Sequence, residues 1–306
     1  MLAYVTIFGF IALGHFLSRS SYLSAEPLAD ALNRFAIYLC LPALILLHVP
    51  TLEADLSLLP LVAIPWLTLL LTLLVIPWIS RVMGWSREVT AVLLVLLPLG
   101  NTSFLGFPLV SALYGPQALP LAVVYDQFGS FLMVCTHVLI VVAWFGSGAR
   151  PTPWGILTRM VKFPPFVALC VALVFGHEWL SGAWWSLAEG LAYLLLPIVT
   201  LAIGLSLKWT LDRPMVPALC FGVAAKLVGL PAIIFLSLWW LGQWLAWEPL
   251  VVRVALLEAS MPSMITAAAL LSQAKIRPDL ANAMVAWTVM LSILTVPVWH
   301  QVSLLL

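Results

Sequence analysis

Charge is what this sequence has least of. Asp, Glu, Lys and Arg make up 8% of its 306 residues, against about a quarter in a soluble domain. Hydrophobic residues make up 64% and the mean hydropathy is +1.13, so the chain has too little polar surface to face water and must face lipid. A net charge of +1 leaves no basic face for nucleic acid. The four cysteines, Cys40, Cys135, Cys170 and Cys220, form no CxxC or Cys/His cluster, which argues against a metal centre or a disulfide. They are expected to pack as small buried hydrophobes. There is no GxxxxGK[ST] for a nucleotide-driven pump. Nor is there an HExxH or a GxSG for an intramembrane protease, so neither enzyme activity nor a cofactor is expected. No Lys or Arg precedes the first apolar run and no A-x-A site follows it; a cleaved signal peptide is not expected.

What is present is a series of apolar runs. A membrane-spanning helix needs about 20 mostly apolar residues. Ten segments qualify, at roughly 2–18, 29–50, 57–80, 89–114, 118–146, 160–180, 185–207, 214–244, 249–273 and 279–303. The loops after the odd-numbered segments, with their flanks, hold Arg19, Arg34, Arg81, Arg87, Arg150, Arg159, Lys162, Lys208, Arg213, Lys275 and Arg277. That is all but Lys226 and Arg253 of the 13 basic residues. The opposite side holds Glu53, Asp55, Glu178 and Glu248. Because Lys and Arg mark the cytoplasmic side, both termini are expected outside, periplasmic if the membrane is a bacterial inner membrane.

The halves resemble each other. "YLCLP" (Tyr38–Pro42) meets "YLLLP" (Tyr193–Pro197), and "FIAL" (Phe10–Leu13) meets "FVAL" (Phe166–Leu169) at nearly the same offset. The same shift carries "LGNTSFLGFPLV" in segment four onto "LEASMPSMITAA" in segment nine. Five segments per half is an odd number, so the second half enters the membrane inverted. The expected organisation is residues 1–146 as one repeat, 147–159 as a short cytoplasmic linker and 160–306 as the second repeat. This is a plan common in secondary transporters, with broken helices at the midplane.

Segments four and nine carry the polar residues that such a break needs. A proline within a helix removes a hydrogen bond, and lipid offers nothing to replace it. Gly100, Gly106 and Pro108 point to a break in segment four, with Asn101, Thr102 and Ser103 available to a ligand. In segment nine Glu258, Ser260, Pro262, Ser263 and Thr266 form the matching patch. The amino-terminal ends of the resumed helices suit an anion. Asp126, Lys226 and Glu258 lie within the segments, where ionisable groups are functional candidates by default; Lys226 adds a full positive charge for an anion, and Asp126 and Glu258 either carry a coupling proton or pair with Lys226. His15 and His137 read as satisfied core histidines.

"GNTSFLGFPLVSALYG" (Gly100–Gly115), "LAVVYDQ" (Leu121–Gln127), "YLCLPALI" (Tyr38–Ile45), the Lys226 region and "EASMPS" (Glu258–Ser263) together resemble the auxin efflux carrier family in its compact form. The resemblance implies an all-α fold of ten transmembrane helices in two inverted five-helix repeats. Segments 1, 2, 6 and 7 would form a scaffold that dimerises. Segments 3–5 and 8–10 would form a transport domain whose fourth and ninth helices cross at Pro108 and Pro262. It implies secondary transport of small organic anions, carboxylates such as malonate or malate, by an elevator-type movement. The substrate-binding residues it implies are Asn101, Thr102, Ser103, Phe104, Gly106, Pro108, Met261, Pro262 and Ser263, with Asp126, Lys226 and Glu258 for charge or coupling. Two alternatives share the fold. One is a cation-coupled transporter like the bile-acid/sodium symporters, with Ser103, Glu258, Ser263 and Thr266 as possible sodium ligands. The other is a channel or ligand sensor. The coupling ion, proton or sodium, is left open by the residues.

Overall fold

The computed structural model describes residues 2–19, 24–51, 55–145, 152–176, 181–209 and 212–306. Glu53, Arg150, His177, Glu178, the first part of the linker (147–151) and the side chain of Arg159 lie outside the described residues. Among those described, the secondary structure is helical apart from one antiparallel β-bridge, Gly100 to Ser263.

Among the described residues, six helical runs are long and apolar enough to cross a membrane: Ala25–His48, Leu56–Val82, Pro116–Phe145, Ala183–Ser206, Arg213–Leu241 and Pro278–Ser303. They fall on expected segments two, three, five, seven, eight and ten. Segment one is the helix Leu2–Ser18. Segment six holds Pro164–Phe175, whose 12 residues reach only about 18 Å at 1.5 Å per residue. Segments four and nine are each interrupted. Arg87–Leu96 is followed, after a gap, by a π turn Thr102–Gly106 and the helix Phe107–Tyr114. Pro249–Ala259 is followed by Ile265–Gln273. The expected linker 147–159 holds the start of a helix, Pro153–Val161.

Proline shapes these helices in a recurring way. π turns at Ala36–Cys40, Thr102–Gly106 and Ala225–Gly229 each end two residues before a proline, at Pro42, Pro108 and Pro231. Proline offers no N–H to the preceding turn. The chain absorbs the missing bond by widening that turn rather than by ending the helix.

The chain divides into two compact units. The first takes residues 1–55, 103–123 and 157–207, and so holds segments one, two, six and seven. It also takes the second half of segment four, which the family resemblance would place in the transport domain. The reason lies in packing: Phe107, Pro108 and Ser111 wall a cavity together with Leu47, His48 and Glu189. Within this unit Leu2–Ser18 and Ala183–Ser206 cross with almost nothing between their backbones. A Cβ on Gly14 would stand 2.3 Å from the Leu201 carbonyl oxygen, and one on Gly204 would stand 2.1 Å from that of Ile11. Small residues at helix crossings are what packing in lipid favours, since burial from water no longer drives association.

The second unit takes 56–102, 124–156 and 208–306. Its helices are also brought close by glycine: Gly129 lies against the Pro65 ring, and Gly222 lies between Leu93 and Met284. Thr68, Thr72 and Thr288 return their hydroxyls to the carbonyls four residues back, which satisfies buried polar atoms without an outside partner. At one end of the unit Arg277 meets Asp279 at 2.8 Å and Asp212 at 3.7 Å. The turn before the last helix has left-handed backbone at Lys275 and Arg277.

The cysteines divide. All four are free; Cys40 and Cys135 are buried, while Cys170 and Cys220 are exposed, contrary to the expectation that all four pack inside. Cys170 and Cys220 sit on helices whose outward faces are also apolar, so the residue type gave no sign of which face it occupied.

Candidate functional site

The break in segment four lies earlier than Pro108. Helix Arg87–Leu96 ends just before Pro98, which has no N–H to offer the Leu94 carbonyl four residues back. Residues 97–101 are non-helical and the chain resumes as helix at Thr102. Pro108 instead lies within the resumed helical run, just after the π turn Thr102–Gly106 that absorbs its missing N–H. The signal was present in the sequence as Pro98 and was masked by the richer Gly100–Pro108 run. In segment nine the break is at Pro262, with residues 260–264 non-helical.

The two breaks pair with each other inside the second unit. Asn101 N–H donates to the Pro262 carbonyl at 2.7 Å, and Met264 N–H donates to the Leu99 carbonyl at 3.2 Å, bracketing the Gly100–Ser263 bridge. Unpaired backbone in lipid costs several kcal/mol per group, so each break supplies what the other lacks. The two breaks therefore meet at Gly100 and Ser263, next to Pro262, rather than at Pro108. Gly100 is required by closeness: a Cβ there would lie 3.2 Å from the Glu258 carbonyl oxygen and 3.3 Å from the Met261 Cβ.

A helix that stops leaves its last four carbonyls without partners. Here three are met by side chains from three other segments. His137 Nε2 lies 3.0 Å from the Leu94 oxygen, Ser263 Oγ donates to Leu96 at 3.1 Å, and Lys226 Nζ donates to Leu97 at 3.0 Å. Lys226 is 1% exposed. Its ammonium sits at the negative end of the helix dipole, so it does not pair with Asp126 or Glu258 as the sequence reading allowed. His137 is a satisfied core histidine.

At the start of the resumed helix the charge is reversed. The Thr102 hydroxyl donates to Asp126 Oδ1, and Gln127 Nε2 donates to Asp126 Oδ2 at 2.8 Å. A carboxylate beside the first residue of a helix complements the dipole's positive end. Segment nine repeats the construction without the charge: Ser263 N–H donates to Thr288 Oγ1 at 3.1 Å. The two pairs, 102 with 126 and 263 with 288, have nearly equal spacing along the chain.

Three buried groups at this site lack partners. Asn101 is 3% exposed and its Nδ2 makes no hydrogen bond. Gln127 is 1% exposed with Oε1 unpaired, and Glu258 is 0% exposed with both carboxylate oxygens unpaired. Gln127 and Thr288 were not singled out by sequence, because an amide or hydroxyl in a helix gives no sign of what it faces. Ser260 is satisfied locally by Leu257 at 2.7 Å, Met261 is fully buried, and Thr266 is exposed and does not join the patch. Among the described residues no cluster of His, Cys, Asp and Glu suits a metal centre.

The remaining expected residues, Ser103, Phe104, Gly106 and Pro108, belong to the first unit. Its cavity, about 300 Å³, is lined mainly by apolar side chains, with His48, Glu189 and Tyr193 as its ionisable members. His48 and Glu189 act on each other electrostatically; Glu189 escaped the sequence reading because it lies near the start of an otherwise ordinary apolar helix.

Comparison with known proteins agrees with a transporter. Residues 1–149 match the family model described as membrane transport protein. Over 95% of its length the chain is 27% identical to an uncharacterized transporter of Methanothermobacter thermautotrophicus, covering 94% of that protein. It is 26% identical to an uncharacterized transporter of Methanocaldococcus jannaschii, with 96% of each chain covered.

Proposed function

We propose, from the premise that this chain is a membrane transporter whose amino-terminal half belongs to the membrane transport protein (auxin efflux carrier) family, that it carries a small organic anion by alternating access. The observation that carries this reading is Asn101. Its backbone N–H closes the crossing with Pro262 while its side-chain NH₂, buried, has no partner. A buried amide left unpaired costs about 1–3 kcal/mol, and a carboxylate oxygen is the acceptor that would recover it. The resumed helices, starting at Thr102 and Ile265, add the partial positive charge of their first turns.

The rest of the reading follows from that site. Ten membrane segments in two inverted repeats are supported by the paired breaks and by the matching 102–126 and 263–288 contacts. Two separately compact units support an elevator-type movement. A homodimer through segments 1, 2, 6 and 7 is supported by large apolar side chains left uncovered there, among them Phe16, Tyr38, Trp184 and Tyr193. The ion pair between Asp212 and Arg277 joins two loops assigned to the cytoplasmic side, in keeping with both termini outside.

The test is uptake and counterflow in proteoliposomes with a panel of radiolabelled mono- and dicarboxylates. A transporter saturates and shows counterflow for at least one of them. Non-saturating flux would indicate a channel, and binding without flux a sensor.

A further inference from the structure

The cavity in the first unit takes no part in the paired breaks of the second. Its volume, about 300 Å³, reaches the lower end of the range for small-molecule sites. Its floor is apolar: Leu44, Leu47, Phe107 and Leu195 line it and are buried. A carboxylate stands on its wall. Glu189 lies six residues after Ala183 in helix Ala183–Ser206, about 9 Å along it. A charged side chain that deep in a membrane segment faces a cavity rather than lipid.

The second observation is the helix face that carries it. Trp185, Glu189 and Tyr193 all line the cavity and are spaced four residues apart. An aromatic ring therefore stands one turn before the carboxylate and another one turn after it. Trp185 packs against the cluster of Ala43, Leu47 and Ala188, which fixes its ring at the wall. Glu189 and Tyr193 are exposed, so a ligand reaches them from outside the protein.

The lining selects the ligand's chemistry. No Lys or Arg belongs to it, so a carboxylate would meet Glu189 with no answering charge, and the carried anion does not bind here. A hard metal ion needs several oxygens, and besides Glu189 the lining side chains offer only the Ser111 and Tyr193 hydroxyls. An alkyl chain alone would leave the carboxylate against apolar matter, which is costly. An ammonium group answers the carboxylate and is also attracted by the faces of aromatic rings.

We propose that this cavity binds an organic ammonium ion with an apolar body. The nitrogen sits against Glu189 between the Trp185 and Tyr193 rings, and the body rests on Leu44, Leu47 and Phe107. The site goes beyond the transport reading and does not depend on it, since every residue it uses belongs to the first unit.

The experiment uses the purified full-length protein in lipid nanodiscs at pH 8, where an ordinary imidazole is mostly uncharged. Binding of radiolabelled benzyltrimethylammonium is measured against empty nanodiscs and should saturate at a single molecule per chain. Tetramethylammonium, a charge without a body, and benzyl alcohol, a body without a charge, should each compete at least about tenfold more weakly. Phenylacetate should not compete. Glu189→Gln should weaken binding about tenfold and Tyr193→Leu about threefold, while Tyr193→Phe keeps the ring and the affinity. Both positions are exposed, so these variants should keep the wild-type melting temperature, which separates lost binding from lost fold. Glu248→Gln, exposed and outside the lining, should change nothing. If Glu189→Gln does not accumulate, the competition series and Tyr193→Leu decide. Binding that fails to saturate, that is unaltered in Glu189→Gln, or that either partial probe matches would overturn the site. Displacement by phenylacetate would assign the cavity to the carried anion and equally overturn it. None of these readouts needs transport, so a failed uptake assay would leave the site standing.

Discussion

Asn101 and Ser263 sit on the two paired breaks, Asn101 against Pro262 and Ser263 against Gly100, and have opposite duties. Ser263 Oγ closes the Leu96 carbonyl, so Ser263→Ala leaves a buried acceptor unpaired. The cost is about 1–3 kcal/mol, measurable as a lowered midpoint in denaturant titration of the detergent-solubilised protein. The Asn101 NH₂ has no bond to lose, so Asn101→Ala should shift the same midpoint by less than about 0.5 kcal/mol while abolishing substrate uptake. Unchanged uptake with Asn101→Ala would remove this residue from the site. Lys226 also belongs to this scale. A lone cation in a membrane segment suggests an anion site, yet its ammonium is held by a carbonyl that a broken helix exposes, and no substrate is needed to explain its presence.

At the scale of the element, the helices of this protein are defined by where they fail. Pro98 and Pro262 end two of them, while Pro42, Pro108 and Pro231 are absorbed by π turns. The difference is what the surroundings supply: the carbonyls freed before Pro98 find His137, Ser263 and Lys226. Other helices are defined by close approach. Gly204→Val places a side chain where the Ile11 carbonyl stands, at 2.1 Å from the first added carbon, and both neighbours are backbone. Separating the helices should cost about 1–3 kcal/mol or more. Gly190→Val on the same helix meets nothing within 4 Å and should leave the melting temperature within a degree or two of wild type. Equal stability of the two variants would show that the Leu2–Ser18 and Ala183–Ser206 crossing is not a tight one.

For the whole molecule the proposal is a topology, and it is open to chemical labelling. Cys170 and Cys220 are exposed, so all four cysteines are first replaced. In that background a cysteine at Gln117 should react with an impermeant maleimide from outside intact cells, and one at Lys162 only after the membrane is opened. The reverse pattern would invert the orientation that the basic residues imply.

Much of this architecture is determined by sequence alone, because its cause is local. An apolar run must face lipid wherever it lies, a Lys or Arg resists crossing the membrane, and a proline withholds its N–H in any context. That is why the apolar segments, the break at Pro262 and the polar run at 100–103 were all legible. What the tertiary structure decided are the meetings. Leu96 and Ser263 are 167 residues apart and Leu97 and Lys226 are 129 apart, and no rule of spacing joins them. Only the packed fold made the two breaks meet at Gly100 rather than at Pro108, sent Ser103–Pro108 to a different compact unit, and turned two cysteines outward. It also left Glu258 buried without a partner, which a sequence can never display, since an unsatisfied group is defined by everything that fails to reach it.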